Sequence, residues 1–217
     1  MNRLRIGFLF AACILGSVGC DSSHHTKSRS AQTPTRLEEP VVYAVDVRSP
    51  DGKRVAVVRH DGNTYDLEVG PAGGGPKRTL YRAAYISTDV FWASPHLIAF
   101  GVNSEVDTID VRTRHVRRIV VWATSFNISP DGRWIAWTKG GSPHTPDTVG
   151  VVPTTGGECL IVPRPSNRAD SLAFFKPGVK RLFFLREPFS AATGQVPSGR
   201  TISVPLSSLR RAPTRAC

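Results

Sequence analysis

The chain alternates short apolar runs with clusters of Pro, Gly, Asp and Ser, a pattern of many short strands and tight turns rather than long helices. Its clearest unit is "SPDGRWIAW" at 129–137, with an echo in "SPDGKRVAV" at 49–57. In each, proline presets φ at the first corner of a turn, aspartate bonds nearby backbone, and glycine accepts the left-handed conformation at the exit. The turn residues are therefore Ser49, Pro50, Asp51 and Gly52 in one copy, and Ser129, Pro130, Asp131 and Gly132 in the other. Behind each turn, residues 55–58 and 134–137 are apolar at consecutive positions, as in a strand covered on both faces.

The echo extends well past the turn. "SPDGKRVAVVR" is followed by the turn "HDGN", the strand "TYDLEV" and "GPAGGGPKRTL". "SPDGRWIAWTK" is followed by a turn-rich stretch, "DTVGVV" and "PTTGGECLIV". The two turns lie 80 residues apart and the proline–diglycine elements, at Pro71 and Pro153, lie 82 apart. An eroded copy fills the gap: in 90–121, Ser94-Pro95 has lost its Asp-Gly, but "HLIAFG" and "VDTIDV" take the second and third strand places. A fourth copy begins at "SLAFFKPGVKRLFFL" and continues in "TISVPL" after the loop 186–200. Four units of about 40 residues predict an all-β fold, a β-propeller of four four-stranded blades at about 42–83, 84–122, 123–164 and 168–217. The stacking logic is that no blade covers both of its faces alone.

The pattern SPDG, a basic residue and an alternating apolar strand, with a diglycine some 25 residues on, resembles the WD40-like blade of TolB-type β-propellers. That family includes the periplasmic component of the Tol–Pal envelope system and the propeller domains of prolyl oligopeptidase-like peptidases. The resemblance covers about 42–209 and is strongest in units one and three. Family members commonly have six or more blades, so four blades imply a small closed ring, an open arc, or pairing with another chain into a homo-oligomer. An open arc leaves sheet edges prone to association.

Ahead of the repeats, "MNRLRIGFLFAACILGSVGC" has a basic start, a short apolar run and small residues before Cys20, the layout of a signal peptide over 1–20. Cys20 resembles the acylated cysteine of a bacterial lipoprotein, anchored to a membrane facing the periplasm or the exterior. Ser17 stands where such signals usually carry leucine, so "SVG" also fits an ordinary cleavage site. Residues 21–40 are almost wholly polar and read as a flexible tether to a domain over 41–217. Cys13 leaves with the signal, which makes Cys159 and Cys217 a candidate disulfide in an exported domain, or else two independent thiols.

Charge and chemistry alter this picture little. The net charge of +11 is carried mostly by arginine, spread along the chain except in "RTRHVRR" and near the C-terminus. No nucleic-acid module accompanies it, so the partners expected are an envelope protein or an anionic envelope component. There is no G-x-S-x-G elbow, "GGSPH" at 140–144 coming nearest. Asp46, Asp107, Asp110 and Asp147 read as turn formers or solvated edge residues on different blades. His60, His96, His115 and His144 lack metal-ligand spacing, and His24 and His25 sit in the tether. Trp92, Trp134 and Trp137 read as packing residues; Trp122 falls at a unit boundary. No residue is singled out as catalytic or as a metal or cofactor ligand. The functional expectation is a membrane-anchored, non-catalytic binding or scaffold module, the alternative being an enzyme or enzyme remnant acting on a peptide or glycan at the central mouth.

Overall fold

The structure is a computed structural model that describes residues 46–141, 145–178, 180–188 and 199–212. The leader, Cys20 and the tether fall outside these residues, as do His144 and Cys217. Among the described residues no helix is long and apolar enough to cross a membrane.

Four antiparallel sheets follow one another along the chain. Sheet one orders β1 (Val47–Arg48), β2 (Arg54–His60), β3 (Tyr65–Pro71) and β4 (Arg78–Ala83) side by side. Sheet two does the same with β5 (Ile86–Ser94), β6 (Leu97–Val102), β7 (Glu105–Asp110) and β8 (Val116–Val121). Sheet three holds β9 (Ala123–Ile128), β10 (Trp134–Lys139), β11 (Thr148–Pro153) and β12 (Leu160–Ile161). Sheet four holds β13 (Arg168–Phe175), β14 (Arg181–Pro188) and β15 (Arg200–Pro205). Each is a meander in which sequence neighbours pair, as short hairpin turns require.

The strand count departs from four per unit in two sheets. A single 3-10 turn, Leu206–Ser208, leads from β15 into β16 (Arg210–Arg211), which leaves the fourth unit and pairs with β12 instead. Sheet three thus has five strands and sheet four three among the described residues. The register Leu160↔Arg211 and the bond from Ala212 N–H to Cys159 O explain why: the two-residue β12 presents a free edge, and the end of the chain covers it.

Burial follows the alternation of each strand. On β2 and β3, Ala56, Val58, Leu67 and Val69 face sheet two and pack against Trp92, Ile98, Phe100 and Ile109. On the other face of sheet two, Ala99 and Val106 meet Ile135, Trp137 and Val152 of sheet three. Sheet three in turn offers Ala136, Val149 and Val151 to Leu182 and Phe184 of sheet four. The central strands are therefore covered on both sides, each fully buried large side chain contributing about 1.5–3 kcal/mol. Among the described residues no such cluster joins sheet four to sheet one.

Candidate functional site

The strands of these sheets have two ends. The SPDG turns lie at one, called here the turn end. The links from each sheet to the next, with the β2–β3 and β6–β7 turns, lie at the other, the link end. At the turn end the two SPDG copies have the same internal bonding. Ser49 Oγ donates to Asp51 Oδ1 at 2.6 Å and accepts from Arg54 N–H at 2.9 Å. Ser129 Oγ donates to Asp131 Oδ1 at 2.6 Å and accepts from Trp134 N–H at 2.9 Å. Gly52 and Gly132 follow at φ +68° and +70°, the left-handed region in which glycine is unstrained. The serine hydroxyls hold both aspartates below the usual carboxylate range. All four side chains are engaged within their own turns, which makes these residues builders of the turn. In unit two, where Asp-Gly is lost, Ser94 Oγ still accepts from Leu97 N–H at 3.1 Å across a shorter turn.

The carboxylates divide into turn formers and buried pairs. Asp110 accepts from Arg112 and Thr113 N–H, and Asp147 from Gly141 N–H, so both shape loops as expected. Asp46 is exposed just ahead of β1. Asp107 corrects the sequence expectation: it is 2% exposed, and burial raises its pKa although Arg118 lies 3.6 Å away. Asp107 shares its face of the third strand with Glu105, which bonds Arg118 at 2.6 Å. Sheet one repeats the arrangement, with Asp66 paired to Arg82 at 2.6 Å and Glu68 to Arg59 at 3.3 Å. The signal was present in "YDLEV" and "EVDTID", where acids alternate with apolar residues on a strand otherwise destined for burial. In sheet four, Asp170 is fully buried and takes two bonds of 2.7 Å from Arg186.

The remaining singled-out residues are scattered. His60 ends β2 with its ring 4.3 Å from Tyr65, whereas His96 and His115 sit in two different turns. Among the described residues no three His, Cys, Asp or Glu side chains come together as a metal site would need. Trp92 is packed in the core and donates to Val47 O at 2.8 Å, Trp137 is fully buried, and Trp134 packs against sheet four. Trp122 is the exception at 69% exposure, in the left-handed region at φ +61°. Cys159 is buried and disulfide-bonded to a partner outside the described residues.

Two of the cavities, one at each end, gather polar and charged side chains of neighbouring sheets. At the turn end a groove of about 480 Å³ between sheets one and two is lined by Lys53, Arg54, Lys77 and Arg78, and by no carboxylate. Arg54 and Arg78 each spend one donor on a carbonyl of sheet two, Pro95 O and Val111 O, which fixes their heads across the sheet boundary. At the link end a cavity of about 340 Å³ between sheets two and three is lined by Tyr85, Ser87, Asp89, Ser104, Glu105 and Ser125, among others. Its wall partly desolvates the Asp89 carboxyl and raises that pKa.

No protein-family model and no curated protein sequence matches the chain. Solved structures do. A protein from Agrobacterium tumefaciens assigned as TolB superposes with a TM-score of 0.53 at 16% identity, over 76% of this chain and 62% of its own. The oligogalacturonate lyase of Vibrio parahaemolyticus gives 0.52 at 14% identity, over 68% of this chain and 46% of its own. The β-propeller domain of the Trilobed protease from Pyrococcus furiosus gives 0.50 at 11% identity, over 76% and 54%. The chain thus spans less than two thirds of the length of each, and the likeness is one of fold. The protein has a TolB-like β-propeller fold, one that supports binding proteins and enzymes alike.

Proposed function

We propose that the chain is a non-catalytic binding module of the bacterial cell envelope, exported by residues 1–20 and held to a membrane through Cys20. In this reading its turn end engages an acidic envelope protein. The observation that carries it is the groove of Lys53, Arg54, Lys77 and Arg78: four cations line one cavity that no carboxylate enters. Such a patch speeds encounter with an acidic surface and selects against basic ones. Placement on turns fits the usual division in which rigid sheets position loops that bind.

The test is photo-crosslinking in intact cells from residue 73, an exposed position in the turn that carries Lys77, where an added side chain meets nothing within 4 Å. Capture of one acidic envelope protein, lost in the K53E/K77E double variant, is the expected result. Recovery of cross-links only to the chain itself would replace the reading with an oligomer, and headgroup adducts alone would replace it with a lipid surface. Labelling with a palmitate analogue, present in the wild type and absent in Cys20→Ala, tests the anchor. Turnover of a peptide or glycan by the purified chain would move it to the enzyme class.

A further inference from the structure

The link end carries two largely exposed aromatic side chains, of which Tyr85 meets the Tyr65 ring edge-on at 5.4 Å. Tyr85 is 50% exposed and Trp122 is 69% exposed. They occupy the same place in the repeat. Tyr85 directly precedes Ile86, which pairs with Val102, the last residue of β6. Trp122 directly precedes Ala123, which pairs with Lys139, the last residue of β10. Each aromatic residue therefore stands at the link into a first strand; Tyr85 lines the 340 Å³ cavity between sheets two and three, and Trp122 directly precedes Ala123, which lines it too.

Trp122 stands in an unfavourable conformation. A bulky residue at φ +61° is a steric outlier, and such outliers persist where the surrounding structure or a function fixes them. A glycine in that link would remove the strain and also the large exposed apolar surface. Nothing in the packing requires the indole, which belongs to none of the core clusters.

The cavity is rich in hydroxyls. Ser87, Ser104 and Ser125 line it, together with Asp89 and Glu105. Arg118 already neutralises Glu105 at 2.6 Å, which leaves Asp89 as the lining carboxylate with no ion-pair partner among the described residues. One carboxylate among several hydroxyls suits a polyhydroxyl ligand better than a cation or an anion. The Tyr85 ring in the lining, and the exposed Trp122 ring next to Ala123, offer the other half of the chemistry, since a flat ring can cover the apolar C–H face of a sugar while hydroxyls and a carboxylate bond its O–H groups. At about 340 Å³ the cavity is at the small end of ligand pockets, which run to about 1,000 Å³.

We infer that the link-end cavity between sheets two and three is a saccharide-binding site, with Trp122 and Tyr85 as stacking platforms and Asp89, Ser87 and Ser104 as hydrogen-bonding partners for a neutral sugar. This site lies at the opposite end of the strands from the basic groove and does not depend on it.

The experiment uses the full chain purified in detergent and follows tryptophan emission during titration. The ligands are cellotriose, maltotriose, triacetylchitotriose, trigalacturonate and trilysine. At least one neutral trisaccharide is expected to change the emission. Calorimetry is then expected to show affinity for that sugar falling by about tenfold or more in Trp122→Gly, as loss of a stacking platform implies, and also falling in Asp89→Asn. Because Trp122→Gly relieves strain, its thermal midpoint should equal or exceed that of the wild type, so lost binding cannot be ascribed to unfolding. K53E/K77E should bind the sugar as the wild type does, which keeps this site separate from the turn-end reading. The inference is overturned if no neutral sugar binds, if Trp122→Gly leaves affinity unchanged, or if trilysine is the preferred ligand and Asp89→Asn abolishes its binding.

Discussion

Gly52 and Gly132 are twins in sequence and in backbone conformation, yet their replacement by alanine should differ sharply. Both lie near φ +70°, where an alanine costs about 1–2 kcal/mol relative to glycine. Around Gly52 nothing lies within 4 Å of an added Cβ, so Gly52→Ala should stop at that conformational cost. At Gly132 the added methyl would overlap the Ala93 carbonyl oxygen and lie 2.8 Å from its carbonyl carbon. The obstacle is the backbone of β5 in the neighbouring sheet, which a rotamer change cannot clear. Overpacking of this kind adds about 1–3 kcal/mol, so Gly132→Ala should cost about 2–5 kcal/mol in all. Urea denaturation followed by circular dichroism reads both variants, with the midpoint falling and the slope unchanged. Equal destabilisation of the two variants would refute the claim that the SPDG turn of unit three is wedged against sheet two while that of unit one is free.

Three further outcomes follow from the same structure. Asp170→Ala removes the partner of a largely buried guanidinium that also lies over the Phe184 ring, and should cost about 3–5 kcal/mol by calorimetry, with Asp170→Asn recovering part of it. Reduction of the Cys159 disulfide should lower the thermal midpoint by the equivalent of about 2–4 kcal/mol, and Cys217→Ser should reproduce the loss if Cys217 is the partner, as β16 beside β12 suggests. The pH dependence should have two limbs. Hydrogen bonds to their carboxylates depress Asp51, Asp61, Asp110 and Asp131 below 3.8, so their stabilisation is complete above that value and is lost as pH falls through the depressed values. Burial raises Asp107 and Asp89, so their charges oppose folding as pH rises through their elevated values, and Asp107→Asn should shrink that limb to the Asp89 share while leaving the acid one intact.

Much of the architecture was legible because it rests on local chemistry. Ser-Pro-Asp-Gly dictates a turn whatever surrounds it, and the apolar runs behind it can only be strands covered on both faces. The spacing of about 40 residues then divided the chain into four units even where the turn had eroded to Ser94-Pro95. The exchange of β16 from sheet four to sheet three was less legible, since a two-residue strand carries no periodicity and its pairing is set by the free edge of β12. Asp107 was misread for a related reason: in the sequence it is one of several aspartates near strand ends, and only the pairing with Arg118 shows that burial there is tolerated. The exposure of Trp122 could not be read at all, because an aromatic residue beside a strand is core or surface according to its φ and the sheet that follows. The repeat position it shares with Tyr85 was readable once the register was fixed.

The first and last sheets each have a face that joins no core cluster with another sheet among the described residues. At the centre of each of the first three sheets stands a fully buried alanine, Ala56, Ala99 or Ala136, whose small side chain lets the next sheet approach. Strand register places Phe183 at the same position in sheet four, since Ala136 pairs with Val151 as Phe183 pairs with Ser203. Phe183 is only partly buried, stacks on Phe174 at 5.7 Å and carries Lys176 4.6 Å above its ring. That face therefore presents a bulky ring where the other three present an alanine. At the opposite extreme, the face of sheet one that points away from sheet two replaces the large apolar residues of its equivalents, Phe100 and Trp137, with Val57 beside the Arg59–Glu68 and Asp66–Arg82 pairs. Terminal repeats are expected to turn polar outward to stay soluble. Sheet one carries ion pairs on that face, although Val57, Asp66 and Glu68 are themselves buried there, and sheet four carries an aromatic pair under a lysine. Phe183→Ala would therefore test whether bulk is what closes sheet four: if it is, the variant gains self-association in sedimentation, and a variant that stays as monodisperse as the wild type would show that the lysine-capped ring has no such role.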